Sequence, residues 1–471
     1  MRDLVIVLGA EVPSGRATAK KLRGEQYCCE LMHSAATVQE ILDASPAGVI
    51  VAGDLSEGAA LPDPALLALK VPLLALGESA HYLLSCTGER LEGDGIERAV
   101  ATVAYRQTPL FEGVHEGERW ISRAAPFRMP EPYKVLAEGD GCPLAFGDEA
   151  ARHYLLQFGI ERNDPDGMAM LLAFAASVCG LTPWWTAENM LQSAEAAIRA
   201  GVGEREGICA MSGGLDSTVA AALAQRVLGD RLRCIFVDTG LLRAGEADEV
   251  ERCFGEEMAL PFIRVDASQQ VLAALNGLTD GGQKWRVVER AILEALQAEA
   301  DKRPGEKAFI KGTNYLDVIG AGKPDPVPGM QVVEPLHALF KGEIRRIGEA
   351  MGLPPAILNR QPFPGMGLAA RIRGAVTRQT LQTLRLADAL FEEALQEAGL
   401  EKRLARSFAM LDHSDGQDVI VLRATQGVEP TMNAARLPYD LMERVVERIT
   451  NAMPWVARVL YDITPGKAEW S

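Results

Sequence analysis

Short apolar runs recur along the first third of the chain, at "LVIVLGA" (4–10), "AGVIVAG" (47–53), "VPLLALG" (71–77) and "HYLLQFG" (153–159). Gly and Pro bound them, and amphipathic stretches separate them. That rhythm predicts strands alternating with helices, an α/β domain over residues 1–175. A second series begins at Gly207 with "GICAM", "LRCIFVD", "FIRVD" and "AFIKGTNY", again with helical stretches between. It predicts a mostly parallel sheet with helices on both faces, over residues 176–365. The intervening "NDPDGMAMLLAFAASVCGLTPWWTAENMLQ" starts polar and turns helical, as a boundary segment does. Residues 366–471 read as helix, strands, helix and a last strand "ARVLYDI", a smaller α+β domain. Its second helix spaces Leu441, Val445, Val446, Ile449 and Met453 along one face.

Composition narrows the class. The chain has 471 residues, enough for two or three domains, with 48% hydrophobic and 24% charged residues, a globular profile. A net charge of −16 argues against a broad nucleic-acid surface, which needs clustered Lys and Arg. No apolar run reaches the length of a membrane span, and "MRDLVIVLGAEVPSG" reads as a strand rather than a signal peptide. The eight cysteines follow neither metal-ligand spacing nor a disulfide framework, so a reducing cytoplasmic setting is expected. Cys28 and Cys29 are adjacent and read as packing residues.

The stretch "CAMSGGLDSTVAAAL" (209–223) sets two glycines among hydroxyls between a strand and an Ala-rich helix. It lacks the lysine of a Walker loop, yet has the parts of an anion cradle. Gly213 and Gly214 let successive N–H groups converge on one anion, and the helix start adds free donors. Ser212, Ser217 and Thr218 offer hydroxyls. Asp216 would repel a phosphate unless Mg2+ lay between, so it reads as a metal ligand or a loop brace. A plain βα turn is the other reading of the loop taken alone.

The loop resembles the S-G-G-x-D-S motif of ATP pyrophosphatases. The blocks "FVDTGLLRAGEADEV" (236–250), "VDASQQVLAALNGLTDGGQKWRVV" (265–288), "KGTNYLDVI" (311–319), "VVEPLHALFKGEIRRIGEAMGLP" (332–354) and "RQPFPGMGLAARIRG" (360–374) are similar, in order, to those of GMP synthases. The resemblance runs to the end of the chain and implies ATP and Mg2+ as cofactors. It implies a nucleotide contact for Asp238, for Gly312 and Thr313 in a G-T-x-Y-x-D segment, and for Lys284 in a lid. It implies a metal-ligand role for Asp317 beside Asp216, and a pyrophosphate grip for Lys341. The reaction implied is adenylation of a carbonyl oxygen followed by displacement of AMP. A homodimer through the C-terminal domain is implied too.

Residues 1–165 resemble a class I glutaminase domain through "TPLFEGV", "YKVLAEGDGCPLAF" and "YLLQF". The G-x-C-x-G nucleophile elbow, however, reads "LALGESA", with Gly77 in the place of the cysteine. The Q-F-H-P-E segment reads Gln157-Phe158-Gly159-Ile160-Glu161, so the histidine is Gly159. Thiol and imidazole work as a unit, and Glu161 alone cannot replace them. Cys86 lies nine residues beyond the elbow, and His81 five residues before Cys86 does not share its helix face. No glutaminase activity is expected, so ammonia, or sulfur from a donor protein, would come from elsewhere.

The acceptor segments depart from the family: "GAGKPDPVPGMQ" stands without histidines, the loop within "RSFAMLDHSDGQDVIV" is short, and the terminus reads "PGKAEWS". Arg360 and Lys467 are the candidate anion contacts for the acceptor, with xanthosine monophosphate as the default. Another carbonyl acceptor, sulfur as nucleophile, and a non-catalytic nucleotide-binding scaffold are the alternatives.

Overall fold

The computed structural model describes residues 3–53, 55, 60–92, 95–160, 165–321, 327–358, 365–427 and 433–464. The chain divides into two compact units, Met1–Met190 and Leu191–Ser471.

The first unit is built on a nine-stranded sheet. Its parallel half runs in the order Cys29–Met32, Val5–Leu8, Gly48–Val51, Leu73–Leu76 and His153–Leu156. Four of these strands are buried at every position, which is why they read as continuous apolar runs rather than alternating ones. The antiparallel half continues through Cys142–Asp148, Lys134–Gly139, Ile96–Tyr105 and Gly117–Ala124. Strand–helix alternation does not extend across these residues. The strand Gly117–Ala124 is interrupted by charged positions and buries only part of its length, so its apolar signal is weak.

The second unit holds a five-stranded, wholly parallel sheet in the order Phe262–Asp266, Leu232–Asp238, Glu206–Met211, Lys307–Ile310, Met330–Val333. The first strand in sequence, Glu206–Met211, is central. The chain builds outward on one side of it, then crosses to the other. The reversal leaves a crevice beyond the carboxyl ends of Glu206–Met211 and Lys307–Ile310, the place where ligands of such sheets bind.

A second sheet contains Ile372–Arg373, Arg406–Asp412, Asp418–Gln426, Asn433–Ala434 and Val456–Tyr461. The helices Arg378–Glu397 and Tyr439–Ala452 accompany it. Leu381, Leu384, Phe391, Leu441, Val445, Ile449 and Met453 join one buried core with Ile208 and Ile235 of the first sheet. The apolar stripe of the helix Tyr439–Ala452 is therefore spent inside the unit. Of the five residues on that stripe only Val446 remains open to solvent.

Candidate functional site

The strand Glu206–Met211 gives way to the glycine loop, and the helix Leu215–Leu228 begins two residues after Gly213, whose φ is +76°. Hydroxyls hold the turn. Ser212 N–H donates to Ser217 Oγ at 3.2 Å, the two serine hydroxyls lie 2.9 Å apart, and Gly214 N–H donates to Ser212 Oγ at 3.3 Å. Thr218 is fully buried and its Oγ1 donates to the Gly214 carbonyl at 2.7 Å. It braces the first helical turn. A hydroxyl facing inward onto a carbonyl is not available to an outside anion.

The segment after Lys307–Ile310 closes onto this loop at Gly312. A Cβ there would stand 2.7 Å from Asp216 C and 2.7 Å from Ser217 N, so only glycine permits the approach. Two residues on, Asn314 Nδ2 donates to Asp216 Oδ2 at 3.0 Å. Asp317, in the first turn of the helix Tyr315–Ala321, accepts the Asn314 N–H on Oδ2 at 3.1 Å. Thr313 Oγ1 donates to Glu334 Oε1.

Asp216 is the electrostatic centre of the cluster. Burial pushes its carboxyl above the usual range, and Asp317 adds to the rise. Lys341, the Asn314 hydrogen bond and Arg345 oppose it. Its Oδ1 is buried and meets no hydrogen-bond donor among the described residues. A buried carboxylate oxygen without a partner is costly unless a cation answers it. Mg2+ fits this oxygen. It takes one or two protein carboxylates and completes its octahedron with water and substrate phosphates.

Lys341 opens the helix Lys341–Ala350, where Glu343 Oε2 accepts the Phe340 N–H at 2.8 Å and fixes the helix start. The ammonium is exposed and near enough to act on Asp216. Two groups in the cluster were not singled out from the sequence. Arg345 lies one turn after Lys341, and its Nε is held on the Leu358 carbonyl at 2.8 Å. Its i+4 spacing from Lys341 was the available signal. Asn314 occupies the unspecified position of G-T-x-Y-x-D, and no pattern marked it.

Other expected residues lie apart from this cluster or are otherwise engaged. Asp238 ends its strand as anticipated, but Oδ1 accepts the Gly240 N–H at 2.9 Å and Oδ2 accepts from Arg264 at 2.6 Å. Its charge is already answered by Arg264. Lys284 is neither a surface cation nor turned to solvent. It is buried, its Nζ donates to the Ile372 carbonyl at 2.7 Å, and burial pushes its pKa down. The ammonium, expected as a nucleotide contact in a lid, here ties the helix Gly281–Ala300 to the start of the second sheet. Arg360, Lys467 and Glu161 lie outside the described residues.

In the first unit the strand Leu73–Leu76 passes directly into the helix Gly77–Thr87, and Gly77 has φ +53°. A left-handed residue at a strand-to-helix turn is the geometry of a nucleophile elbow. The Gly77 N–H donates to the Phe158 carbonyl at 3.2 Å, which brings position 77 beside Gly159. A Cβ at 77 would lie 3.1 Å from Gly53 Cα. Cys86 is exposed. His81 instead turns to Gln157, with Nδ1 2.9 Å from Oε1. The buried Gln157 accepts the Ala125 N–H on that same oxygen and donates through Nε2 to the Ala125 and Pro143 carbonyls. His81 Nδ1 is therefore the protonated nitrogen.

Parallel α/β sheet, glycine turn and converging carboxylates define a nucleotide-type anion site at a topological switch point. Comparison with known proteins names the family. The GMP synthase C-terminal domain family matches residues 393–470. A GMP synthase (glutamine-hydrolyzing) of Carboxydothermus hydrogenoformans is 35% identical over the whole of both chains. One of a Parafrankia species is 36% identical over 99% of this chain and 96% of its own. One of Symbiobacterium thermophilum is 35% identical over 100% and 99%. The chain belongs to the GMP synthase family.

Proposed function

We propose that the protein is an AMP-forming, ATP-dependent ligase that adenylates a carbonyl oxygen of a purine-nucleotide acceptor, xanthosine monophosphate by default. Ammonia not made by its own first unit then replaces that oxygen. The reading rests on one observation above others, the buried and unanswered Oδ1 of Asp216 at the mouth of the glycine loop.

In this reading the amides of residues 212–217 and the start of the helix Leu215–Leu228 receive phosphate oxygens. Ser212 and Ser217 keep the loop in that shape. Lys341 neutralises charge that accumulates on the departing pyrophosphate, a group present at full strength only as the bond breaks. Asp216 and Asp317 would hold Mg2+, which when bound supplies charge neutralisation to the phosphates. Arg345 keeps the pocket electropositive behind Asp216. The acceptor oxygen attacks the α-phosphorus in line, and positioning does most of the work since no covalent protein intermediate is needed.

The related chains are named as glutamine-hydrolyzing, and this one departs from that chemistry at two places. Gly77 and Gly159 supply neither thiolate nor general base. We assign residues 1–175 to a glutaminase-like unit without hydrolase activity, 176–365 to ATP cleavage and 366–471 to dimerisation and acceptor binding. With most of the helix stripe at 441–453 buried, the apolar side chains exposed for a second copy include Val446, Trp455, Leu460 and Ile463. Two copies would share that patch symmetrically.

Purified protein given Mg-ATP and xanthosine monophosphate should release pyrophosphate and form GMP with ammonium but not with glutamine. Glutamate formation that survives Cys86→Ala would overturn the reading of the first unit. Absence of AMP with ammonium present would retire the acceptor and leave the ATP site to be tested with other carbonyl nucleotides.

A further inference from the structure

Asn314 is 1% exposed, and both polar atoms of its amide are engaged. Oδ1 accepts the backbone N–H groups of Leu316 at 3.0 Å and Asp317 at 3.3 Å, so the carboxamide can face only one way. Nδ2 is thereby turned onto Asp216 Oδ2, while the Asn314 backbone N–H holds Asp317 Oδ2. One residue thus takes one oxygen of each of two carboxylates, from opposite sides of the crevice. The oxygen of Asp216 that it does not take is the one left bare.

From this arrangement we infer that Asn314 is a positioning residue that presents Asp216 Oδ1 to the divalent cation. The inference rests on the metal role proposed for Asp216. A carboxylate turns readily about its last torsion, where the preference is broad and two-fold. A donor fixed on one oxygen removes that freedom before any cation arrives. Ligands held by a second hydrogen bond bind metal more tightly, and losing the holder commonly costs roughly tenfold or more in affinity.

The test uses Asn314→Ser. Serine retains an oxygen able to cap the helix Tyr315–Ala321, yet is too short to reach Asp216. Mn2+ binding to the full-length protein is followed by electron paramagnetic resonance with a non-hydrolysable ATP analogue present, so no turnover is involved. Asn314→Ser is expected to weaken Mn2+ roughly tenfold and to raise the Mg2+ concentration for half-maximal activity more than it lowers kcat. Asn314→Ser leaves Asp216 Oδ2 without its donor, so the melting temperature is expected to fall, and Mn2+ binding is compared at a temperature where both proteins are folded. Asp216→Asn, run in parallel, is expected to lose protein-bound Mn2+. Unchanged Mn2+ affinity in Asn314→Ser, with loss in Asp216→Asn, overturns the positioning role alone. Unchanged affinity in both variants overturns the metal assignment of Asp216 and this inference with it.

Discussion

A methyl group at position 312 would be driven into the Asp216–Ser217 peptide, at 2.7 Å from atoms that cannot turn aside. Gly312→Ala should therefore destabilise the second unit by about 1–3 kcal/mol, the usual range for overpacking. It should also open the loop, so pyrophosphate release falls by more than the stability loss explains. Calorimetry and a pyrophosphate assay on the same sample separate the two effects. Asp216→Asn and Lys341→Ala act without that distortion. Each should lower ATP cleavage roughly 100-fold or more while circular dichroism stays unchanged. Unaltered pyrophosphate release in both would remove these residues from the site.

His81 illustrates how an element carries a pH response. Its imidazole is partly buried in the helix Gly77–Thr87, and desolvation lowers its pKa against a raising contribution from Gln157. The unfolded chain binds the proton near the ordinary value of about 6.5, the folded chain only at lower pH. Stability is then intact above about 6.5 and is lost as pH falls toward the folded value. Thermal melts from pH 7.5 to 5 should show a shallower acid slope in His81→Gln than in the wild type. Most elements around the two sites were legible from sequence because fully buried parallel strands leave unmistakable apolar runs. The strands Ile96–Tyr105 and Gly117–Ala124 were not, since charged positions interrupt their apolar ones. Thr218 and Lys284 share one feature that sequence does not carry: a polar side chain beside a loop looks available until its partner, here a carbonyl of Gly214 or Ile372, is seen. The stripe Leu441, Val445, Ile449 was correctly apolar, but periodicity does not say which surface it meets. Ile449→Ala should cost about 2–5 kcal/mol, as for a core residue.

At the scale of the whole molecule, the two units answer to different chemistry. With 48 basic against 64 acidic residues the surface repels polyanions, so the nucleotide must be met by local geometry. Solution mass at micromolar concentration should be twice the 50.8 kDa of one chain. Replacing Leu460 and Ile463 together with Asp should shift the mass toward one chain, as burying unpaired carboxylates at a shared patch is costly. A wild type of single-chain mass would remove the proposed dimer.

The glycine at the elbow also decides how the protein meets electrophiles. Electrophilic glutamine mimics that trap amidotransferases do so by alkylating the elbow thiol, and position 77 offers them no sulfur. Of the eight cysteines, Cys86 is the one exposed among the described residues, at the far end of the helix that Gly77 begins. A stoichiometric maleimide should therefore place a single dye there, with burial holding the Cys142 and Cys179 thiols back. The most exposed sulfur among the described residues thus sits on the very helix that Gly77 begins, where a dye would report on the first unit by fluorescence.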